Sequence, residues 1–407
     1  MYIPPNWPWP ILRSSVWTMR AKRISFTGGP FPRRGSRPLA GMSTAGSMLG
    51  TAVSWGWPGF LCKKKLSGGR SLCFLESSQD GVGPMDDPLI VAADLGGTSF
   101  RVALVDRRMN ILARSAHFTR PQEGASRAVE RIIESIRQTA SRSSLERVKG
   151  IAVATAGPLD PSRGMILSPP SLPTWRHVPL KDLLRDAFPL PVWVEHDADM
   201  AALGEYRFGS GRGFDRLIYL TVSTGIGGGV ILDGKLLRGA KVSAAELGHI
   251  VIDPNGPPCN CGGKGHVEAM ASGTAIARMA RERLARGERS SLRERCGDDL
   301  GKVTAQLVAE GARAGDTLAR EVMREAGTNL GLAVVSLIHI FDPDVVIIGG
   351  GVSNAGELLL GPVREVIAER AMEDFRDRAR VVQSALGDNS GILGVAAFAF
   401  EELGLGC

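Results

Sequence analysis

The stretch LIVAADLGGTSFRVALV at residues 89–105 contains two apolar runs on either side of a glycine turn. Short apolar runs bounded by glycines are typical of buried strands, so the stretch predicts a β-hairpin with its turn at residues 94–98. A second stretch, LIYLTVSTGIGGGVIL at residues 217–232, repeats the pattern with a turn at 223–229. Two copies of one hairpin predict two domains of related topology that face one ligand.

Both predicted turns contain the residue types that bind phosphate. Glycines allow backbone N–H groups to approach phosphate oxygens with no Cβ between them, and consecutive N–H groups attract anions. In the first turn, Asp94 is suited to hold a Mg²⁺-bound water beside such phosphates. The other candidate phosphate-binding residues are Gly96, Gly97, Thr98, Thr224 and Gly225. Either turn alone is also consistent with an ordinary hairpin, and neither contains the lysine-containing P-loop motif.

The segments around the hairpins alternate between helical and extended patterns. Apolar residues at helical spacing predict an amphipathic helix at 126–139. Buried strands are predicted at 148–154, 192–194 and 345–348. This alternation indicates an α/β fold with parallel strands in each sheet.

The first 84 residues differ in composition from the rest of the chain. They contain eleven lysines and arginines against two acids, a balance of +9, whereas the whole chain carries +7, so the remainder sums to −2. They are also rich in tryptophan, proline and glycine, without an amphipathic period. A targeting segment, a disordered arm and a start codon assigned too early, with Met85 as the true first residue, each fit in part. We favour the last and expect a non-globular leader at 1–84.

Cysteine spacing and charge restrict the class of protein. Only Cys259 and Cys261 of the six cysteines are close together, which differs from the disulfide framework of a secreted domain. After Met85 there is no secretory signal and no apolar run long enough to span a bilayer. We therefore expect a cytoplasmic protein without a membrane partner. The slightly acidic remainder argues against nucleic acid as a partner.

Residues 195–199, EHDAD, stand where a predicted strand ends and a predicted helix begins. A carboxylate near a helix N-terminus is stabilised by backbone N–H groups, so Asp197 is either a capping residue or a base. As a base it would orient a sugar hydroxyl and accept its proton during phosphoryl transfer. In that reaction positioning and charge neutralisation matter more than basicity.

The segment 246–272 contains the most specific local pattern. The pattern is H-x9-C-x-C-x4-H, formed by His249, Cys259, Cys261 and His266. Zn²⁺ binds four such nitrogen and sulfur ligands tetrahedrally, and a site with four protein ligands is structural rather than catalytic. The surrounding glycines and prolines leave the loop without a core, so a metal is a plausible organiser; free thiols beside surface histidines are the alternative. Glu246 and Glu268, brought together by the folded loop, are candidates to accept hydrogen bonds from sugar hydroxyls.

The order and spacing of these motifs resemble the ROK family, which contains bacterial glucokinases, other hexose and N-acetylhexosamine kinases, and some sugar-responsive repressors. The motifs that carry the resemblance are DLGGT at 94–98, EHDA at 195–198, ExGH at 246–249 and CxCGxxG at 259–265. The resemblance covers residues 88–405 and is strongest to the glucokinases.

The resemblance implies an actin-like sugar-kinase fold of the ribonuclease H-like class, with two α/β domains around a nucleotide–sugar cleft. We expect the first domain at residues 88–205 and the second at 206–389, with the zinc loop at 246–272 in the second. A C-terminal helix at about 390–405 is expected to return to the first domain.

The resemblance also implies roles for individual residues. Asp197 is the implied catalytic base. The implied sugar-binding residues are His196, Asp197, Glu246, His249 and Glu268. The implied metal ligands are His249, Cys259 and Cys261, with His266 as the fourth. Gly350 and Gly351 fall where the end of a strand lies near the adenosine. The implied cofactors are ATP, the Mg²⁺ bound with it, and a structural Zn²⁺.

The implied activity is ATP-dependent phosphorylation of a hexose at its 6-hydroxyl, with glucose converted to glucose 6-phosphate. The alternatives are an N-acetylhexosamine or mannose acceptor, polyphosphate as the donor, and a ROK-type transcriptional repressor. Such repressors place a helix-turn-helix ahead of the kinase-like body, and residues 1–84 show no paired amphipathic helices. Homodimers are common in the family, although no residue pattern in this sequence indicates one.

Three positions depart from the family pattern. His196 replaces the usual asparagine before the catalytic aspartate, which puts the hydrogen bonds to the sugar at that position in question. His266 replaces a third cysteine and makes a Cys₂His₂ set. Ser171 stands where asparagine is common, in a loop that bears on the choice of acceptor. None of these changes removes the base or the phosphate turns, so we expect an active enzyme.

Overall fold

The computed structural model describes residues 87–240, 244–297 and 299–406, and the leader predicted at 1–84 lies outside the described residues. The strands are β1 (Leu89–Leu95), β2 (Ser99–Asp106), β3 (Ile111–Phe118), β4 (Val148–Thr155), β5 (Leu159–Asp160), β6 (Met165–Ile166), β7 (Val192–His196), β8 (Leu217–Val222), β9 (Ile226–Leu232), β10 (Lys235–Leu236), β11 (Val345–Gly349) and β12 (Arg380–Gln383). The helices are α1 (Ala125–Ala140), α2 (Leu180–Ala187), α3 (Asp197–Phe208), α4 (Val267–Ala271), α5 (Gly273–Ala285), α6 (Leu292–Cys296), α7 (Ala305–Arg313), α8 (Thr317–Phe341), α9 (Glu357–Arg370) and α10 (Ser390–Glu402). This content confirms the predicted α/β class. Among the described residues, no helix combines the length and apolar character needed to cross a bilayer.

The first sheet has the strand order β3-β2-β1-β4-β7. The first three strands are antiparallel, whereas β4 and β7 run parallel to β1. The hairpin predicted at 89–105 is confirmed, and the sheet as a whole is mixed. Leu95 pairs with Thr155, and Thr155 pairs with His196. The residues that follow β1 and β7 therefore lie at the same edge of the sheet, two strands apart.

The second sheet, β10-β9-β8-β11-β12, repeats this arrangement. Its hairpin, β8 and β9, is antiparallel, and β11 and β12 run parallel to β8. Thr221 of β8 pairs with Gly349 of β11. The glycines that follow β11 therefore lie beside the turn that follows β8.

The second hairpin differs from the prediction in one respect. The sequence places the glycines at 227–229 in the turn, yet β9 begins at Ile226 and includes them. A Cβ on Gly228 would lie 2.4 Å from Leu247 Cγ, and one on Gly229 would lie 2.6 Å from the backbone oxygen of Ala198. These glycines permit close packing against the sheet, and the turn itself is limited to residues 223–225.

Helix α3 packs against both sheets. Met200 and Leu203 join α10 in a cluster against the first sheet. Ala201 and Ala202 pack against β8, β9 and β11 of the second sheet. Because it is enclosed on two sides, α3 holds its first residue, Asp197, in a fixed place relative to both hairpins.

Helices α3 and α10 cross where each presents a glycine. A Cβ on Gly394 would lie 1.7 Å from the backbone oxygen of Met200, and one on Gly204 would lie 2.3 Å from the backbone oxygen of Ser390. Both distances are far below a normal carbon–oxygen contact. The close approach of the two backbones therefore requires glycine at both positions.

Glu205, near the end of α3, is fully buried and connects this helix to the segment that enters α10. Its carboxylate accepts five hydrogen bonds at 2.6–3.2 Å, from Ser210 N, Ser384 Oγ, Ala385 N, Leu386 N and Ser390 Oγ. A buried carboxylate is tolerated when donors satisfy it in this way.

Candidate active site

The first candidate phosphate turn follows β1 directly. The Thr119 hydroxyl donates a hydrogen bond to the carbonyl oxygen of Gly96 at 2.7 Å, which fixes the turn, while Thr98 is exposed. Gly97 lies against the irregular loop that contains Ser171, since a Cβ on Gly97 would be 2.4 Å from the Ser171 carbonyl oxygen. The loop that departs from the family pattern therefore borders this turn.

Asp94, near the end of β1, is held by an ion pair. Arg101 Nη1 lies 3.2 Å from Asp94 Oδ2, and Arg101 Nη2 lies 3.0 Å from Asp388 Oδ2. Burial, followed by the negative charge of Asp197, raises the pKa of Asp94 to about 6 despite the opposing effect of Arg101. A divalent cation prefers oxygen ligands and would favour the ionised form of this carboxyl.

Asp197 begins α3 immediately after β7. Its Oδ1 accepts a hydrogen bond from Ala198 N at 2.7 Å, and His196 Nε2 lies 3.7 Å from the same oxygen. The side chain remains 34% exposed. Neighbouring strands are about 4.8 Å apart, so the two-strand separation puts Asp197 roughly 10 Å from the first turn. The next residue, Ala198, packs against Gly227 of the second hairpin, and the charge of Asp197 acts on Asp94 of the first. Asp197 therefore lies near both hairpins.

The second candidate phosphate turn is closed by a hydrogen bond from Ser223 N to Gly225 O at 2.8 Å. Thr224, at its centre, is exposed. Gly350 approaches from the end of β11 with φ +79°, and a Cβ there would lie 2.4 Å from Val222 O. The structure therefore brings Gly350, and Gly351 after it, next to the second turn.

The structure brings together the four predicted metal ligands. The ligand atoms of His249, Cys259, Cys261 and His266 all lie within 4.8 Å of one another. Cys259 Sγ is 3.9 Å from His249 Nδ1, and Cys261 Sγ is 3.2 Å from His266 Nδ1. Ligand atoms around a tetrahedral zinc ion are about 3.3–3.8 Å apart, so a small contraction would complete the set. The residues therefore fit a structural Zn²⁺.

Two glycines shape the loop around this cluster. Gly265 has φ +70°, and a Cβ there would lie 1.7 Å from Asp253 O. A Cβ on Gly263 would lie 2.4 Å from Cε1 of the His266 ring. Glycine at both positions allows the loop to turn back and the His266 ring to reach Cys261.

The predicted sugar-binding acids lie beside the metal ligands. His249 Nε2 is 3.9 Å from Glu246 Oε2, while its Nδ1 faces Cys259, so the two ring nitrogens point to different partners. Glu268 Oε2 accepts a hydrogen bond from Ile226 N at 2.9 Å, and its Oε1 accepts one from Cys259 Sγ at 3.4 Å. Both oxygens of Glu268 therefore have protein donors, and binding of a sugar hydroxyl would add to or replace the thiol contact. His196, the remaining predicted sugar-binding residue, lies next to Asp197.

Comparison with known proteins assigns the family. The model of the ROK family matches residues 90–402, well over half of the chain. The chain belongs to the ROK family. A glucokinase of Thermotoga maritima is 40% identical over 315 residues, which cover 77% of this chain and 98% of that protein. A xylose repressor of Caldicellulosiruptor bescii is 29% identical over 341 residues, which cover 83% of each.

Solved structures give the same family. The crystal structure of a ROK family glucokinase from Streptomyces griseus, in complex with glucose and AMPPNP, is 36% identical with a TM-score of 0.70. The match covers 76% of this chain and 98% of that chain. The resemblance inferred from the motifs and the actin-like sugar-kinase fold are confirmed.

The motifs of this ROK chain assign no role to two further ionisable residues near Asp197. Arg238 Nη1 donates a hydrogen bond to Oε2 of the buried Glu195 at 2.6 Å, and its guanidinium lies over the Phe398 ring. Asp199 is 5% exposed, and its Oδ1 has no hydrogen-bond partner in the described part of the chain. An acid on the apolar side of a predicted helix is a signal for Asp199. The Arg238 pair spans 43 positions and has no local signal.

Proposed function

We propose that this ROK-family chain is an ATP-dependent glucokinase, which transfers the γ-phosphoryl group of ATP to the 6-hydroxyl of glucose. The observation that carries the proposal is the position of Asp197, at the start of α3 and near both hairpins, in a chain 40% identical to a glucokinase. The neighbour solved with glucose and AMPPNP supports the same pair of ligands. The xylose repressor is less similar, and the repressor alternative has correspondingly less support.

In the proposed reaction, the phosphates of ATP lie against the two glycine turns. Gly96, Gly97 and Thr98 would bind them from one side, and Thr224 and Gly225 from the other. Asp94 would hold a water of the Mg²⁺ that accompanies ATP, and Gly350 and Gly351 would lie by the adenosine. Backbone N–H groups and the cation then neutralise the charge that spreads over the phosphoryl oxygens.

The proposed acceptor site lies between Asp197 and the metal loop. Glu246, His249 and Glu268 would bind the sugar hydroxyls, and His196 would line the pocket beside Asp197. Asp197 accepts the proton of the 6-hydroxyl as O6 bonds to the γ-phosphorus and the bond to the bridging oxygen breaks, which releases ADP. A Zn²⁺ held by His249, Cys259, Cys261 and His266 would order this loop.

The proposal also covers the cellular location, the domain boundaries and the oligomeric state. We place the enzyme in the cytoplasm, where a reducing environment keeps the thiols of the cluster available. We also propose the domain division at 88–205 and 206–389, with α10 returning to the first domain. A homodimer remains a prediction from the family.

The first experiment is a coupled ADP-release assay on the full zinc-loaded chain with ATP and Mg²⁺. Glucose, mannose, N-acetylglucosamine, N-acetylmannosamine and fructose are compared, and we expect the highest kcat/KM for glucose. A higher kcat/KM for another sugar would identify that sugar, instead of glucose, as the preferred acceptor. If no sugar is turned over, the proposal is wrong, and polyphosphate as donor or a sugar-sensing role would be tested next.

The matched variant is Asp197→Asn, which keeps the shape of the side chain and removes the base. We expect kcat to fall by about 10²–10⁴-fold, the usual range for loss of a general base, with the circular dichroism spectrum unchanged. Near-normal turnover would exclude Asp197 as the base.

A further inference from the structure

The second phosphate turn is hydrogen-bonded to the segment that follows the metal ligands. We define the support segment as residues 266–274, which begin at the metal ligand His266 and end in the first turn of α5. The segment is short, and Val267, Ala271 and Ser272 within it are almost fully buried. Because these side chains are closely packed, we expect a displacement of His266 to shift the rest of the support segment.

Three residues of the support segment contact the turn or the strand that follows it. Glu268 Oε2 accepts a hydrogen bond from Ile226 N at 2.9 Å, and a Cβ on Gly225 would lie only 2.4 Å from that oxygen. Gly273 N donates to Ser223 O at 2.7 Å. Thr274 completes the set.

The Thr274 contact is the one that a single substitution can isolate. Its hydroxyl donates a hydrogen bond to the carbonyl oxygen of Thr224 at 2.8 Å, and its backbone N–H donates a longer one to the same oxygen at 3.4 Å. A change of side chain removes only the shorter of the two. Thr224 is the exposed centre of the turn, and in the proposed function its hydroxyl and the N–H of Gly225 would bind a phosphate. The two hydrogen bonds, with the hydroxyl as the shorter, orient the peptide plane that contains the N–H of Gly225.

We propose that metal binding at the His249, Cys259, Cys261 and His266 cluster is thermodynamically linked to nucleotide binding at the second turn, with Thr274 as a positioning residue for that turn. The inference rests on the proposed function only in assigning the phosphates of ATP to this turn. A bound metal would hold His266, and the support segment would hold the turn in the form that accepts phosphate. Linkage is reciprocal, so the nucleotide would tighten metal binding by the same factor.

Equilibrium binding without sugar tests the linkage. The affinity of AMPPNP with Mg²⁺ is measured by calorimetry on the full chain, zinc-loaded and metal-free. We expect roughly tenfold weaker binding to the metal-free protein, within the usual range for coupled sites. Competition with a zinc chelator should show zinc bound roughly tenfold more tightly when AMPPNP is present.

Variants locate the coupling. Thr274→Val removes the hydroxyl donor at nearly constant volume and should reduce the linkage to about threefold or less, whereas Thr274→Ser should retain it. Thr139→Val is the matched control, because the Thr139 hydroxyl contacts only Ser115 Oγ, at 3.2 Å, among the hydrogen bonds of its side chain in the described residues. The control variant should keep the roughly tenfold difference in AMPPNP affinity between zinc-loaded and metal-free protein.

Equal AMPPNP affinity for folded zinc-loaded and metal-free protein would overturn the inference. If the metal-free chain unfolds, the zinc-loaded Thr274→Val variant decides, and unchanged affinities for both AMPPNP and zinc would overturn it. The outcome is separable from that of the proposed function. Linked binding without glucose turnover would refute the function alone, and turnover without linkage would refute the inference alone.

Discussion

At the scale of single residues, three acids within five positions have different surroundings. Glu195 is buried and paired with Arg238, Asp197 is partly exposed near the two hairpins, and Asp199 is buried with an unpartnered Oδ1 among the described residues. Burial raises the pKa of Glu195, with the charge of Arg238 opposing it. Glu195 belongs to strand β7, whereas Asp197 and Asp199 belong to helix α3, so the three side chains point in different directions. Only the middle one is accessible to a substrate.

Asp199 gives a prediction for stability against pH. Burial raises its pKa from 3.8 to about 7, against the charges of His196 and Arg238. The folded chain therefore binds this proton more tightly than the unfolded chain, and the resulting stabilisation is lost as pH rises from about 4 to about 7. Asp199→Asn should match the parent near pH 4 and exceed its unfolding free energy by about 3–4 kcal/mol at pH 8.

The measurement is urea denaturation of parent and variant between pH 4 and 8. Asp215→Asn, at an exposed position in the loop between α3 and β8, serves as the control and should leave the pH dependence of the parent unchanged. A constant difference between Asp199→Asn and the parent across this range would contradict the raised pKa.

At the scale of elements, the sequence predicts the features that depend on residues close together in the chain. The strands of both hairpins, helix α1 and the clustering of the metal ligands follow from apolar periodicity, glycine turns and ligand spacing. The glycines at 227–229 were misplaced because their reason is distant in sequence: Leu247 and Ala198 occupy the space that their side chains would need. The ion pair of Arg238 with Glu195 was missed for the same reason.

The metal loop gives the prediction at this scale. Cys259→Ser should lower bound zinc to a small fraction of one equivalent and weaken glucose binding at least about tenfold, because the loop has little core to replace the metal. Zinc is measured by elemental analysis and glucose binding by calorimetry. Cys296→Ser, which changes a buried thiol of α6 outside the cluster, should preserve both. Unchanged glucose affinity after verified zinc loss would show that the loop is ordered without metal.

At the scale of the whole molecule, α3 and α10 connect the elements that carry the site. Their glycine crossing and the five hydrogen bonds to Glu205 join the middle of the chain to its last helix. Spacing alone does not reveal that Glu205 is a buried acceptor. Its donors lie both five residues away and about 180 residues away.

Glu205→Ala should lower the free energy of unfolding by about 3–5 kcal/mol, because it leaves buried N–H and hydroxyl donors without an acceptor. The exposed Glu130 of α1 provides the control, and Glu130→Ala should change stability by less than about 0.5 kcal/mol. Urea denaturation of the zinc-loaded proteins makes the comparison. Equal losses for the two variants would mean that the buried network contributes nothing specific.

The crossing of α10 over β1 and β4 also constrains how the chain is made. Ile90, Ala92 and Ala152 line the face of the first sheet that α10 covers, yet α10 begins only at Ser390. A ribosome synthesises the chain from the N-terminus, so until α10 is translated this apolar face is covered only in part, by residues of α3 that include Met200 and Leu203. The first sheet therefore cannot complete its packing until α10 has been synthesised. During that interval the nascent chain exposes an apolar surface of the kind that chaperones bind.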